Sequence, residues 1–126
     1  MSTALRQERN RYSDAELNEF RELIQQKLAD AQRLYEDYRE QLRSTAENPD
    51  SKTRGLDDGT TTMENERLTI MASRQKKHIQ YLQNALLRIQ NKVYGVCRET
   101  GNLISKERLR AVPHATLSIS AKKKRR

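Results

Sequence analysis

The chain has 126 residues, of which 34% are apolar and 33% charged, with one phenylalanine and no tryptophan. This length predicts a single domain, and so little apolar sequence excludes a large globular core. The single cysteine excludes an intramolecular disulfide framework and suits a reducing compartment. Because no apolar run reaches the length of a membrane span or a signal peptide, we expect a cytoplasmic protein.

The formal net charge of +8 is unevenly distributed along the chain. Residues 13–44 carry a net charge of -3 and residues 45–62 carry -2, whereas residues 63–93 carry +4. Residues 94–126 carry +7, and the last five of them are all lysine or arginine. The sequence therefore predicts an electrically polarised molecule with an acidic middle and a strongly basic C-terminal end.

The first predicted helix begins at Ser13, after a polar stretch (residues 1–12) that predicts a flexible arm. Ser13 and Glu16 have the spacing of a capping box, and Tyr12 can pack against Leu17. Apolar residues then recur every three or four positions, as in the seam of a coiled coil, and predict a helix to about Ser44. The seam residues are Leu17, Phe20, Ile24, Leu28, Ala31, Tyr35, Tyr38 and Leu42.

A predicted loop follows at about residues 45–62, which contain Pro49, Gly55, Gly59 and many Asp, Asn, Ser and Thr residues. A second helix is predicted from Thr61 or Thr62, because Thr61 and Glu64 also have capping-box spacing. Its seam repeats the spacings of the first. The seam residues are Leu68, Met71, Gln75, Ile79, Leu82, Leu86, Ile89 and Val93.

Two helices of matched seam predict an all-α fold, in which residues 13–93 form a long antiparallel coiled-coil hairpin. The alternative is that each seam pairs with another chain in a dimer. Residues 94–121 contain short apolar segments separated by Pro113. They predict a small helical module at the base of the hairpin, followed by a basic tail at residues 122–126.

The sequence contains little that indicates an enzyme. It lacks a phosphate-binding glycine loop, a His-Glu metal motif and a nucleophile with a paired base, so we predict a non-enzymatic binding protein. His78 and His114 are interpreted as packing residues. Zinc binding is disfavoured, because structural zinc takes four Cys or His ligands and Cys97 has threonine, Thr100, at the position of a CxxC partner.

The C-terminal residues resemble the DksA/TraR family, whose signature is roughly YGxCxxCGxxIxxxRLxAxPxAxxCxxC. The chain reads YGVCRETG from Tyr94, followed in register by Ile104, the pair Arg108-Leu109 and Pro113. With the preceding hairpin, the resemblance covers nearly the whole chain.

The family's four cysteines are depleted in this chain. Cys97 matches the first, and the other three positions hold Thr100, Ser118 and Ala121. The resemblance therefore implies a cysteine-depleted branch that keeps the shape of the module, as a degenerate zinc finger, without zinc.

The resemblance also implies a function. Members of this family bind bacterial RNA polymerase, insert the hairpin into its secondary channel, and change the lifetime of initiation complexes. It implies partner-binding roles for Asp57 and Asp58 at the acidic tip, where the family's alanine is replaced by Gly59. Arg74 corresponds to a basic position of the second helix that faces the polymerase rim. The 94–121 module would be the docking base, and we include Arg108 and Lys122 among its partner-binding residues.

Family members often act together with the alarmone guanosine tetraphosphate. Three positions that help to contact it correspond here to Tyr81, Val112 and Lys122, of which only Lys122 has the positive charge that a pyrophosphate calls for. The hypothesis is weak or no alarmone dependence. The alternative is that other basic residues take over the contact, and the candidates are Lys76, Lys77, Arg108 and Arg110.

A second interpretation needs no polymerase. Asp57 and Asp58 then only solvate a turn, and the protein is a basic scaffold or nucleic-acid-binding protein that acts through its C-terminal end. The tail is either a solvated terminus or a contact to DNA or to an acidic polymerase surface. Neither interpretation predicts sequence-specific DNA reading. We expect a monomer when the protein is free.

Overall fold

The structure, a computed structural model, describes residues 11–47 and 58–124, with side chains for residues 11–45 and 62–124. Helices within these ranges are α1 (Asp14–Glu47), α2 (Asp58–Gln90), α3 (Lys106–Ala111) and α4 (Ile119–Lys124). The chain divides into two compact units. The module unit comprises residues 1–27 and 81–126, and the helix-pair unit comprises residues 28–80.

Helix α1 begins where the sequence predicts, because the capping box forms. The Ser13 N–H donates to a Glu16 carboxylate oxygen at 3.0 Å, and the Glu16 N–H donates to the Ser13 hydroxyl at 3.2 Å. These two bonds satisfy donors that the first turn of a helix leaves without partners. The helix continues to Glu47, a little past the predicted end at Ser44.

Helix α2 begins at Asp58, earlier than the prediction of Thr61 or Thr62. Thr61 therefore lies inside the helix rather than at its cap, and an acidic residue in the first turn suits the helix dipole. The helix ends at Gln90, because Lys92 takes a left-handed conformation with φ 62°. The Val93 N–H then donates to the Arg88 carbonyl at 2.9 Å, as in a Schellman motif.

Val93 was predicted to be the last seam residue of the second helix, and this prediction is wrong. It lies beyond the left-handed residue that ends α2, and it is 51% exposed. Two alanines, Ala72 and Ala85, are buried in that helix instead. A real helix turns every 3.6 residues, so a strict 3.5-residue pattern drifts away from the buried face.

In the helix-pair unit, α1 and α2 pack antiparallel. The end of α1 and the start of α2 line one groove, which contains Gln41, Thr45, Glu64 and Leu68. Among the residues with described side chains in this unit, the fully buried apolar ones are Ala31, Leu68 and Ala72. The other seam positions of the unit are half-buried, so its apolar contact is narrow.

In the module unit, the same two helices pack with the C-terminal segment around a larger core. The start of α1 lies beside the end of α2, as the ion pair between Lys92 and Asp14 shows at 2.8 Å. Burial extends from both helices into the segment that follows them. Buried side chains here include Leu17, Phe20, Ile24, Leu82, Ala85, Ile89, Tyr94, Cys97, Ile104, Leu109, Ala115 and Ala121.

Tyr12 belongs to this core, which corrects the prediction that residues 1–12 are a flexible arm; residues 1–10 lie outside the described part. Its side chain is 6% exposed, and its ring meets Phe20 edge-on at 5.6 Å between centroids. Its hydroxyl donates to the carbonyl of Ile104.

The prediction of an all-α fold is confirmed. The described residues contain no strand, only an isolated bridge between Val96 and Leu103, and the long antiparallel helix pair is followed by a small helical module. Neither long helix has, in the described ranges, an apolar stretch long enough to cross a bilayer.

Candidate partner-binding surfaces

The Tyr-Gly pair of the C-terminal motif has a structural explanation. Gly95 takes a positive φ of 77°, and a Cβ atom there would lie 2.6 Å from the Tyr12 ring. Both facts favour glycine, because other residues are strained in this conformation and would displace the ring. Tyr94 is fully buried, and its ring lies 5.3 Å from that of Phe20.

The remaining motif residues hold the module together. The Tyr94 hydroxyl donates to the Pro113 carbonyl at 2.9 Å, and the Arg108 Nε donates to the Leu117 carbonyl at 2.8 Å. Leu109 is fully buried next to Arg108. The predicted partner-binding residue Arg108 is therefore half-buried and already engaged within the chain by one guanidinium nitrogen.

Helix α3 is fixed to the start of α1 by charge. Ser105 caps α3 by accepting from the Arg108 N–H at 3.2 Å, and Lys106 pairs with Glu16 at 2.6 Å. The hydrogen bond from Lys106, followed by those within the capping box, lowers the pKa of Glu16 to about 2. Glu16 therefore has two roles, capping α1 and binding α3.

The four positions that carry cysteines in the family do not fit zinc here. They provide one thiol, two hydroxyls and the methyl group of Ala121, whereas structural zinc takes four sulfur or nitrogen ligands. Residues 11–47 and 58–124 contain no group of three or more His, Cys, Asp or Glu that could hold a metal ion.

Hydrogen bonds occupy the corresponding space instead. The Ser118 N–H donates to the Cys97 sulfur at 3.3 Å, and the Ser118 hydroxyl accepts from the Ala121 N–H at 3.3 Å. A hydrogen bond from the Thr100 side chain, helped by others from Ser118 and Thr100, lowers the pKa of Cys97 to about 6, although burial acts in the opposite direction.

The predicted tip residues lie at the edge of what the structure describes. Asp57 is outside the described residues, and Asp58 is the first residue of α2, with its side chain outside the described set. The helix-pair unit has carboxylates on both long helices, two of them paired with Arg43 and Arg67. Its groove of about 570 Å³ is lined by Asp37, Glu40 and Glu64 among others.

Arg74 is an exposed residue of α2 in the same unit. Among the side chains described, it has no hydrogen bond and no ion pair, unlike Arg67, which binds Glu64 at 2.8 Å. Lys76 and Lys77 are exposed as well. These cations are available to a partner without the loss of an internal contact.

The three positions matched to alarmone contacts all fall in the module unit. The Tyr81 ring stacks on the His114 ring with centroids 5.2 Å apart and an interplanar angle of 20°. Val112 ends α3, and Lys122 lies exposed in the last turn of α4. The position held by Tyr81 therefore presents an aromatic ring that stacks on a second ring.

Two contacts of the module unit were not predicted from the sequence. The Tyr81–His114 stack and the Lys106–Glu16 pair join residues far apart in the chain, and no local pattern reveals them. The capping box did single out Glu16, but not its second partner.

The chain is similar in sequence and in fold to known proteins. Residues 92–126 match the family model described as a prokaryotic dksA/traR C4-type zinc finger. Two curated relatives, each named RNA polymerase-binding transcription factor DksA, come from two strains of Caulobacter vibrioides. Each is 43% identical over 51 residues, which cover 40% of this chain. The match spans only 36% of each relative's length.

A solved structure is similar over much more of the chain. The structure of transcription factor DksA2 from Pseudomonas aeruginosa has a TM-score of 0.81 and 28% sequence identity. The match covers 88% of this chain and 83% of that one.

The fold and the module together define a helical protein with a long antiparallel helix pair and a zinc-finger-like C-terminal module. Residues 92–126 of the chain match the dksA/traR zinc-finger family, and the fold of the chain is similar to that of transcription factor DksA2. The curated relatives and the solved structure are named as transcription factors, in agreement with the predicted non-enzymatic role. This chain has a single cysteine, Cys97.

Proposed function

We propose that this protein binds bacterial RNA polymerase and regulates the initiation of transcription. The observation that carries the proposal is the similarity of 88% of the chain to transcription factor DksA2, at a TM-score of 0.81. The curated relatives support the choice of partner, because both are named as RNA polymerase-binding. Such a partner also implies that the protein works in the cytoplasm.

In the proposed mechanism, the antiparallel helix pair enters the secondary channel of the polymerase with residues 48–57 leading. Asp57 and Asp58 would then bring carboxylates close to the catalytic metal ions and basic side chains of the enzyme. Added negative charge there changes the local field, and hence the stability of the initiation complex. Asp37 adds a carboxylate in the helix-pair unit, whereas Glu40 and Glu64 are paired there with Arg43 and Arg67 at 2.8 Å.

Arg74 is the proposed contact along the helix pair. It is exposed and, among the described residues, unpaired, so binding an acidic polymerase surface would cost no internal contact. The module would provide the docking base. Since both long helices bury their seams against each other in each unit, we propose that the free protein is a monomer.

We further propose that the module works without zinc. Hydrogen bonds among Cys97, Thr100 and Ser118 replace the metal–ligand bonds, and the buried side chain of Ala121 fills the fourth position. The Tyr12–Phe20–Tyr94 cluster and the Lys106–Glu16 pair supply stability that zinc gives elsewhere.

For the alarmone, we propose weak or no dependence. Tyr81 and Val112 carry no charge, and among the alternative basic residues Arg108 already uses one nitrogen within the module. A transcription assay with and without guanosine tetraphosphate tests this. Strong synergy that disappears in Lys122→Ala would contradict it.

The experiment for the main proposal measures the lifetime of open promoter complexes formed by purified bacterial RNA polymerase. The comparison is between wild-type protein and the variant Asp57→Asn/Asp58→Asn, which preserves side-chain size and removes both charges. Wild type is expected to change the lifetime. The tip variant should bind polymerase with similar affinity and leave the lifetime unchanged.

A matched control removes charge from the same unit away from the loop, through Asp30→Asn and Glu36→Gln on α1. This control should retain most of the wild-type effect. A wild-type protein that binds polymerase but leaves complex lifetime unaltered would contradict the proposed regulation. Equal activity of wild type and tip variant would contradict the role of the loop.

A further inference from the structure

The last helix of the chain positions a cluster of lysines on an anchored scaffold. Helix α4 is held by its buried residue Ala121, which is 4% exposed. At its start, the Ser118 hydroxyl and carbonyl accept from the N–H groups of Ala121 and Lys122, at 3.3 and 2.9 Å. The helix therefore includes Lys122, Lys123 and Lys124. These residues were predicted to lie in a basic tail after the module, and that boundary is corrected here.

These three lysines, here called the α4 lysine cluster, are all exposed. None of their ammonium groups has an ion pair or a side-chain hydrogen bond with any residue that the structure describes. Two other lysines of the module unit are engaged within the chain, Lys92 with Asp14 and Lys106 with Glu16, whereas Arg98 and Arg110 are exposed single cations. The cluster thus concentrates positive charge that the fold itself leaves unused.

The spacing of the cluster decides which partner fits it. Consecutive residues of a helix are rotated by about 100°. Ala121 faces the core, so the side chains of Lys122, Lys123 and Lys124 leave the helix in three other directions around its axis. A partner that neutralises all three lysines must therefore present negative charge on more than one side of the helix end.

A DNA duplex has this arrangement, since two phosphate backbones flank each of its grooves, whereas a flat acidic protein surface meets one side only. Lysine is also depleted at protein–protein interfaces and common at phosphate contacts. A lysine at a helix C-terminus interacts favourably with the helix dipole, but a single cation is enough for this stabilisation. The sequence continues the run with Arg125 and Arg126.

We propose that the α4 lysine cluster binds the phosphate backbone of double-stranded DNA, without reading its sequence. This site is separate from the contacts proposed for polymerase at the tip and at Arg74, and it shares only Lys122 with the predicted docking base. DNA binding is expected of the isolated protein. Phosphate contacts by lysine release counterions, so binding should weaken steeply with salt.

The test measures binding of the full chain to a short fluorescein-labelled DNA duplex by anisotropy, between about 50 and 200 mM salt. The variant is Lys123→Ala/Lys124→Ala, which leaves Lys122 in place. Each lost phosphate contact should lower the slope of log affinity against log salt by about 0.9, so this variant should lose about 1.8. Two duplexes of unrelated sequence should bind equally well.

The matched control is Lys76→Ala/Lys77→Ala, another pair of adjacent exposed lysines, on α2. It removes the same net charge and should leave the slope and affinity close to those of wild type. Absence of wild-type binding at the lowest salt, or an equal loss in the control pair, would overturn the proposal. So would competition by polyglutamate as effective as that by duplex at equal charge, because the cluster would then bind any polyanion.

Discussion

The two units of the chain use the same pair of helices in different ways. In the module unit, α1 and α2 pack with an aromatic cluster, Tyr12–Phe20–Tyr94, and with two short helices. In the helix-pair unit, the fully buried apolar residues with described side chains are Leu68 and two alanines, and cations such as Arg74 remain exposed. Among the described residues, the module unit therefore contains most of the buried side chains, while the helix-pair unit is more polar and exposed.

The difference explains how the module can lose three cysteines and keep its fold. Zinc is most needed where a small module has little else to stabilise it. Here Tyr94, Ile104 and Leu109 are fully buried, and Tyr12 fixes the chain before α1 to the module. These contacts support the proposal that packing and hydrogen bonds stabilise the module without metal.

The largest expected effect comes from Tyr94→Ala. Removal of a fully buried aromatic side chain that contacts Phe20 and binds the Pro113 carbonyl should lower the free energy of unfolding by about 3–5 kcal/mol. Urea unfolding followed by circular dichroism measures it. Tyr94→Phe, which loses only the hydroxyl, should cost about 1 kcal/mol. Similar costs for both variants would show that the ring contributes little.

A matched pair of leucines compares the units directly. Leu82→Ala in the module unit should cost about 3–4 kcal/mol, because Leu82 is fully enclosed. Leu68→Ala in the helix-pair unit should cost about 2 kcal/mol, since Leu68 is buried beside a groove in a narrow apolar contact, and its neighbours can relax around the smaller side chain. The same unfolding assay applies to both. A larger cost for Leu68→Ala would reverse the comparison.

Gly95→Ala tests the contact between Tyr12 and the module. The positive φ and the approach of the Tyr12 ring should together cost about 2 kcal/mol. In a double-mutant cycle, Gly95→Ala should cost less when Tyr12 is already leucine, because the smaller, flexible side chain can move away. Strict additivity of the two changes would contradict a direct contact.

The last prediction is a pH dependence at Cys97. Its pKa in the folded protein, about 6, lies below the usual thiol value of about 8.5. The thiolate therefore stabilises the fold fully above the usual value, and this contribution is lost as the pH falls towards 6. Wild type should gain stability over Cys97→Ser between about pH 6 and pH 9. A difference that stays constant or grows at the acidic end would contradict the hydrogen-bonded thiolate.

Much of this architecture could be predicted from local sequence. The capping box at Ser13 and Glu16 sets the start of α1, and the apolar spacing identifies both long helices. The start of α2 was missed, because the Asp, Gly and Thr residues after Asp57 also occur in loops. Their composition does not reveal that the helix begins at Asp58.

The contacts between distant residues could not be predicted in this way. Tyr12 and Ile104 are joined across most of the chain, and neither position has a local pattern that names the other. The α4 lysine cluster resembled a solvated tail, because a run of lysines has no apolar period. Its helical conformation depends on Ser118 and on the burial of Ala121, which are features of the tertiary structure.

The most direct test measures binding of the protein to purified bacterial RNA polymerase core after treatment with a zinc chelator and its removal by dialysis. The control is the variant Thr100→Cys/Ser118→Cys/Ala121→Cys, which restores four cysteines and should become sensitive to the chelator. We predict that wild type binds polymerase with the same affinity before and after treatment. Loss of binding after chelation, or no binding by untreated wild type, would contradict a polymerase-binding fold that is held together without metal.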